Sequence, residues 1–185
     1  HRSGAYLLGD FSLRGGDAYG DGNGTRRWAI TGSDLGLTSR AIGATIGDQG
    51  RWNLGISYDE LRHYTSGSYQ TPYLGSMGGN SFVLPSGFGT VANTRSMNAT
   101  QLAAFHTEDI DNTRKNTSLT GGYILNGQWD IKVDYNHLDQ SGAKLQAFPS
   151  ANFGGATPNG ERISILPMPQ DYKTDTVNAA LNWVG

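Results

Sequence analysis

The residues best equipped for chemistry are few and dispersed. In the stretch GGDAYGDGNGTRR, Asp17, Asp21 and Asn23 set oxygen-bearing side chains among glycines, the hard donors that calcium prefers. The spacing departs from the EF-hand pattern and the closing Glu is missing, so an ordinary Gly-Asp turn accounts for the segment at least as well. The histidines, His1, His63, His106 and His137, share no metal-ligand spacing. The chain has no Cys, hence no CxxCH for covalent haem, and it contains neither HExxH nor a nucleophile elbow. No acid, base, nucleophile or metal cluster converges, which argues against an enzyme.

Composition narrows the class. The 185 residues carry a formal net charge of −2, which excludes a basic nucleic-acid binder, and the lack of Cys excludes a disulfide scaffold. Glycine is abundant, at 27 residues, but aromatics make up 10% and recur at regular places, so the chain reads as ordered and β-rich. No run of about 18 apolar residues exists to form a transmembrane helix. The first residues lack the basic-then-apolar pattern of a signal peptide, and the start at His1 reads as a mature or truncated end.

The elements follow from a period of two. In GRWNLGISY (50–58), Trp52, Leu54, Ile56 and Tyr58 fall on one face, and Asn53, Gly55, Ser57 and Asp59 on the other. GQWDIKVDY (127–135) repeats the design: Trp129, Ile131, Val133 and Tyr135 oppose Asp130, Lys132, Asp134 and Asn136. The same period runs through Ile42, Ala44 and Ile46; through Leu119, Gly121, Tyr123 and Leu125; and through Val177, Ala179, Leu181 and Trp183. Fainter traces at Phe11 and Leu13 and at Trp28 and Ile30 bring the expectation to about seven strands. Asn126-Gly127 predicts a two-residue hairpin turn with φ > 0 at both positions, and Asp48-Gln49-Gly50 a slightly longer equivalent.

The connections alternate between short and long. Against those tight turns stand segments at about 62–111 and 139–171, rich in Gly, Ser, Asn and Pro and without sustained period. A compact soluble domain rarely carries such loops, whereas an outer-membrane barrel has short periplasmic turns and long outer loops. Two architectures remain open: a soluble β-sandwich and a transmembrane barrel. Trp and Tyr bracketing the aliphatic residues favour the membrane, where such rings sit at headgroup level. Six residues of tilted strand, however, supply only about 15 Å of height against an apolar band of about 25 Å.

Within the long segments, YDELRHYTSGSYQTPYLG (58–75), LPSGFG (84–89), NFGGAT (152–157) and LPMPQDYKTDTVNAALNWVG (166–185) resemble the MtrB/PioB family of outer-membrane porins. The matches include Tyr58-Asp59-Glu60, Tyr69-Gln70-Thr71-Pro72, Leu84-Pro85 and the spaced Thr174, Asn178, Leu181 and Trp183, and extend from about Gly9 to the end. The resemblance implies an all-β, antiparallel transmembrane β-barrel of twenty or more strands when complete, of which this chain supplies about seven as an N-terminal portion. It implies a sheath around a periplasmic multihaem c-type cytochrome, often with a second multihaem cytochrome docked outside, for extracellular electron transfer in either direction. Haem c then belongs to the partner. Some members carry a Cys pair near the N-terminus, and no role for it carries over to a chain without Cys.

On that reading Asn53, Ser57, Asp59, Asp130, Lys132, Asp134 and Asn136 are candidates for the cytochrome-facing lumen wall, unless they merely meet water. Trp28, Trp52, Tyr58, Tyr123, Trp129, Tyr135 and Trp183 are the expected lipid-facing girdle. Gly43, Gly55 and Gly122 could admit a partner backbone or relieve strain in bent strands. Arg26, Arg27 and Arg51, beside Trp residues, suit anionic headgroups as well as plain solubility. Tyr64, Tyr69, Tyr73 and Phe82 would be outer-loop contacts for an external cytochrome, or the packing of a compact loop on itself. Two other functions stay open: a general diffusion porin and a soluble β-sandwich binding module.

Overall fold

The computed structural model describes residues 7–17, 24–89, 96–149 and 163–185. They form one antiparallel sheet in strict sequence order: β1 (Gly9–Gly15), β2 (Arg26–Leu35), β3 (Arg40–Asp48), β4 (Trp52–Thr71), β5 (His106–Ile124), β6 (Trp129–Pro149) and β7 (Ile163–Trp183). A short helix, α1 (Ala99–Ala103), lies between β4 and β5. The seven-strand expectation holds.

The strands are longer than the alternation in sequence suggests. β4 to β7 run 20, 19, 21 and 21 residues, so the connections expected at about 62–111 and 139–171 contract to 72–105 and 150–162. In β4 the extra strand is polar on both faces, as in Arg62, His63, Thr65 and Ser66, and carries no period-two signal, whereas in β7 it opens ISILPMP, whose prolines argue against a strand. Tyr64 and Tyr69 consequently sit in β4 and not in a loop.

Two compact units divide the chain. One is built from Arg2–Arg62, Thr113–Gln140 and Tyr172–Gly185. Its register is regular: Trp28 opposes Ile46 and Ile30 opposes Ala44 across β2 and β3, then Ile46 opposes Leu54 and Ile42 opposes Tyr58 across β3 and β4. Directly opposed residues share a face, so the apolar positions of neighbouring strands merge into one band.

Both predicted turns connect strands as expected, one by a different mechanism. At Asp48-Gln49-Gly50, Arg51 N–H donates to Asp48 C=O at 2.9 Å and Gly50 takes the left-handed φ of +79°. At Asn126-Gly127 neither residue is left-handed, contrary to the two-residue turn predicted there. Instead the Asn126 carboxamide oxygen accepts from the backbone N–H of Gln128 at 2.9 Å and of Trp129 at 3.0 Å. The side chain thus organises a wider loop as an Asx turn.

The other unit, His63–Asn112 with Ser141–Asp171, has its own small core. Ile110 is fully buried, with Ala143 and Phe88 nearly so. Asn98 and Gln101 form a reciprocal capping box on α1, and buried Gln101 donates to Phe88 C=O at 2.6 Å. Leu74 and Val83 pair as an isolated bridge. Described residues of the long connection between β4 and β5 therefore pack on one another.

Candidate functional site: two faces of one sheet

The first unit presents two chemically opposite faces. Along the apolar face, Leu54 and Ile56 on β4, Ile131 and Val133 on β6, and Val177 and Leu181 on β7 all stand exposed. A soluble sandwich would bury such a face against a second sheet; here the described residues place nothing over it.

All the predicted girdle aromatics fall on this apolar face by strand alternation. Trp28, Trp52, Tyr123, Trp129 and Trp183 cluster toward the end that carries the short turns, where the Trp129 and Trp183 rings lie 6.4 Å apart at 44°. Tyr58 and Tyr135 mark the opposite limit of the band. Tyr58 donates its phenol to Glu60 Oε2 at 3.1 Å, and Arg40 Nη2 reaches the same oxygen at 2.8 Å. Tyr135 makes the equivalent bond to Asp175 Oδ1 at 2.7 Å. Amphipathic rings with charged partners on one side and aliphatic neighbours on the other are suited to an interface between oil and water.

Along the polar face stand the predicted wall residues. Asn53 opposes Gly47, Ser57 opposes Gly43 and Asp59 opposes Ala41 in the β3–β4 ladder. Sequence alone could not supply their partners. Asn116 donates to Asp59 at 3.1 Å, Asn136 to Ser118 at 2.8 Å, and Asn182 to Asp130 at 2.8 Å, so successive strands from β4 to β7 are laced by side-chain bonds. Only the register brings these pairs together; alternation identifies a face, not a neighbour. Asp134 is exposed beside them on β6.

A cleft of about 590 Å³ opens near the short turns, lined by Arg27, Asp48, Asn53, Asp130 and Lys132 among others. Both signs of charge line it. Asp48 is largely buried, accepts from the Thr25 hydroxyl and pairs with Arg51 at 3.4 Å. Arg51 is therefore part of the turn as well as a neighbour of Trp52.

Gly55 and Gly122 both sit close to side chains of neighbouring strands, the Asn53 carboxamide at Gly122 being free to move aside. A Cβ on Gly55 would stand 2.6 Å from Thr120 Oγ1, and one on Gly122 would collide with the Asn53 carboxamide. Gly43 has ordinary space, its nearest neighbour being Thr31 Oγ1 at 3.4 Å.

Chemical candidates stay apart. Among the described residues no group of three His, Cys, Asp or Glu side chains could hold a metal ion. Asp21 and Asn23 of the calcium-like segment, His1, and the stretch 152–157 lie outside the described residues. His106 pairs with Glu108 at 3.4 Å and His137 with Asp175 at 2.7 Å, in different units. Covalent haem has no attachment point in a chain without Cys.

Comparison with known proteins agrees with this geometry. The chain is 24% identical over 179 residues to outer membrane protein MtrB of Shewanella baltica (strain OS185), an alignment covering 97% of this chain and 23% of that relative. It therefore spans about a quarter of that relative's length. The family model for outer membrane beta-barrel porins, MtrB/PioB, matches residues 1–185. With an antiparallel all-β sheet, a bare apolar face and a laced polar one, the chain belongs to the MtrB/PioB family of outer-membrane β-barrel porins.

Proposed function

We propose that this chain forms part of a porin wall that encloses a periplasmic multihaem c-type cytochrome and insulates electron transfer across the outer membrane. The apolar face meets lipid, and the polar face lines the lumen. The short turns at 48–51 and 125–128 are then periplasmic, and the end of the sheet from which β4 leads into α1 faces outward. Haem resides in the partner, and the barrel supplies a hole and a dielectric sleeve.

One observation carries this reading beyond a generic porin. On the polar face Asp59, Asp130, Asn136 and Ser118 already exchange hydrogen bonds with neighbouring strands. Polar groups are costly to remove from water unless bonded, so these bonds lower the cost of covering the wall with another protein, while the carboxylates of Asp59 and Asp130 call for cationic or hydrogen-bonding groups on that partner. Small side chains between them, such as Ala41, Gly43 and Thr45, leave a low relief over which a partner can pack closely.

A tagged full-length protein extracted from native outer membranes in mild detergent tests the proposal. Covalent-haem staining of a stoichiometric co-purifying partner is the expected result. A haem-free barrel with single-channel conductance, from cells that express the cytochromes, would point instead to a diffusion porin.

A further inference from the structure

In the unit built from His63–Asn112 and Ser141–Asp171, side chains bond across strands that are not neighbours. Tyr69 of β4 donates its phenol to the backbone C=O of Ile165 on β7 at 2.8 Å, although β5 and β6 stand between those strands. Asn112 of β5 likewise donates its carboxamide to Gln170 Oε1 on β7, over β6. By alternation Tyr69 shares a face with Ser57 and Asp59, Asn112 with Asn116, and Gln170 with Asn182, so both bonds lie on the polar side. In a flat sheet β4 and β7 would stand about 14 Å apart, three inter-strand spacings and farther than a tyrosine side chain reaches. These parts of β4–β7 are therefore rolled around their polar side.

The backbone is shaped for the roll. Gly142 lies against Asn112: a Cβ there would come 2.7 Å from the Asn112 Cα, and its φ is +133°. A strand with no side chain at that point leaves room for the Asn112–Gln170 bond to pass over β6. The β4–β5 connection comes to the same place, the Gly142 carbonyl being 3.8 Å from where a Cβ on Gly78 would stand. Burial follows the roll. Ile110 on the polar side of β5 is fully buried and Thr71 on that side of β4 is 2% exposed, whereas Ser57 and Asp134 are open on the same face of the other unit.

We propose that the chain closes this part of the polar face with itself, Tyr69 acting as the latch, so that the surface offered to a partner in the lumen stops short of Asn112. The inference rests on the assignment of the polar face to the lumen. An isoleucine on that side is out of place against water or a polar partner, and burial among the chain's own residues accounts for it. The partner's contact then falls on Asn53, Ser57, Asp59 and Asp134, and the rolled parts of the strands keep their form with or without it.

Thiol labelling and hydrogen exchange of the full-length porin, extracted from cells with and without the multihaem cytochrome, test the proposal. Ser57→Cys and Thr65→Cys both replace exposed residues on the polar face of β4. The partner should slow maleimide labelling of Ser57→Cys about ten-fold or more, as at a closely packed interface, and that of Thr65→Cys less than about two-fold. Protection of Thr65→Cys together with Ser57→Cys, or alone, would overturn the proposal and leave the lumen assignment standing. Protection of neither would overturn the lumen assignment, and the proposal with it. In the partner-free porin, Tyr69→Phe should speed amide exchange in 106–112 and 141–148 about two- to five-fold, the effect of one hydrogen bond, and leave 129–135 unchanged. Unchanged exchange in 106–112 and 141–148 would mean that no latch operates and would equally overturn the proposal. Tyr69→Phe removes a single oxygen, and unaltered exchange across 129–135 verifies that the variant folds.

Discussion

Tyr135 donates its phenol to Asp175 Oδ1 at 2.7 Å, and it stands from Trp129 as Tyr58, bonded to Glu60, stands from Trp52. Two separate hairpins thus place a phenol–carboxylate pair at one level and a Trp at another. The repetition identifies a band whose edges are chemically defined: indoles at one side, phenols tied to charge at the other.

The band is short for a membrane. Six residues at about 3.3 Å, tilted by about 40°, span roughly 15 Å, against the roughly 25 Å of a typical outer-membrane barrel. Longer strands do not remove the shortfall, because Arg40, Glu60 and Asp175 bound the apolar stripe within them. Mismatch of this sign is relieved by bilayer thinning and by snorkelling of flanking side chains. The full-length porin is therefore expected to resist urea best in vesicles of short-chain phosphatidylcholine and to lose stability steadily as chains lengthen. A maximum in long-chain vesicles would mean that the band extends past Tyr58 and Tyr135.

Assignment of the faces gives a sharper contrast. Val133 and Asp134 are adjacent on β6 and point to opposite sides. Val133→Arg should cost about 2–4 kcal/mol, as an arginine near the bilayer midplane does, whereas Asp134→Arg should change stability by less than about 1 kcal/mol. Urea unfolding of the two variants in vesicles measures both. Comparable losses would mean that the polar face is not aqueous or protein-lined.

Much of this architecture is legible in the sequence. Trp52 to Tyr58 and Trp129 to Tyr135 revealed both faces, because alternation is a local property of a strand. Three things were not legible. Parts of β4 and β5, such as Arg62, His63, Thr65 and Ser66 and the run Asp111–Arg114, are polar on both sides, so no contrast marks them as strand. The partners Asn116, Ser118 and Asn182 depend on register between strands, which no single segment encodes. Ile110 and Ala143 form a core between segments distant in sequence and flanked by polar residues.

Gly142 sits in β6 with φ of +133°, and a Cβ there would collide with the backbone carbonyl of Asp111. Neither atom is the free end of a side chain, so the backbone must move. Gly142→Ala should cost about 2 kcal/mol or more through strain and clash together. Limited proteolysis should then cut first between Tyr73 and Phe105. Unchanged proteolytic resistance would mean that β6 can adopt an ordinary φ at this position.

The β5–β6 turn separates two mechanisms that the dipeptide Asn126-Gly127 alone cannot. A two-residue turn with both residues left-handed would make the glycine essential. In the observed Asx turn the work falls to the Asn126 carboxamide, which accepts two backbone N–H groups, while Gly127 has open space around its Cα and no left-handed φ. Asn126→Ala should therefore destabilise by about 1 kcal/mol, the worth of a lost side-chain cap. Gly127→Ala should fall within about 0.5 kcal/mol of the parent. Urea titration of both variants, refolded into the same vesicles, decides the matter: the larger loss identifies which residue holds the turn. If it falls on Gly127, the left-handed turn operates in the membrane and the Asx geometry does not.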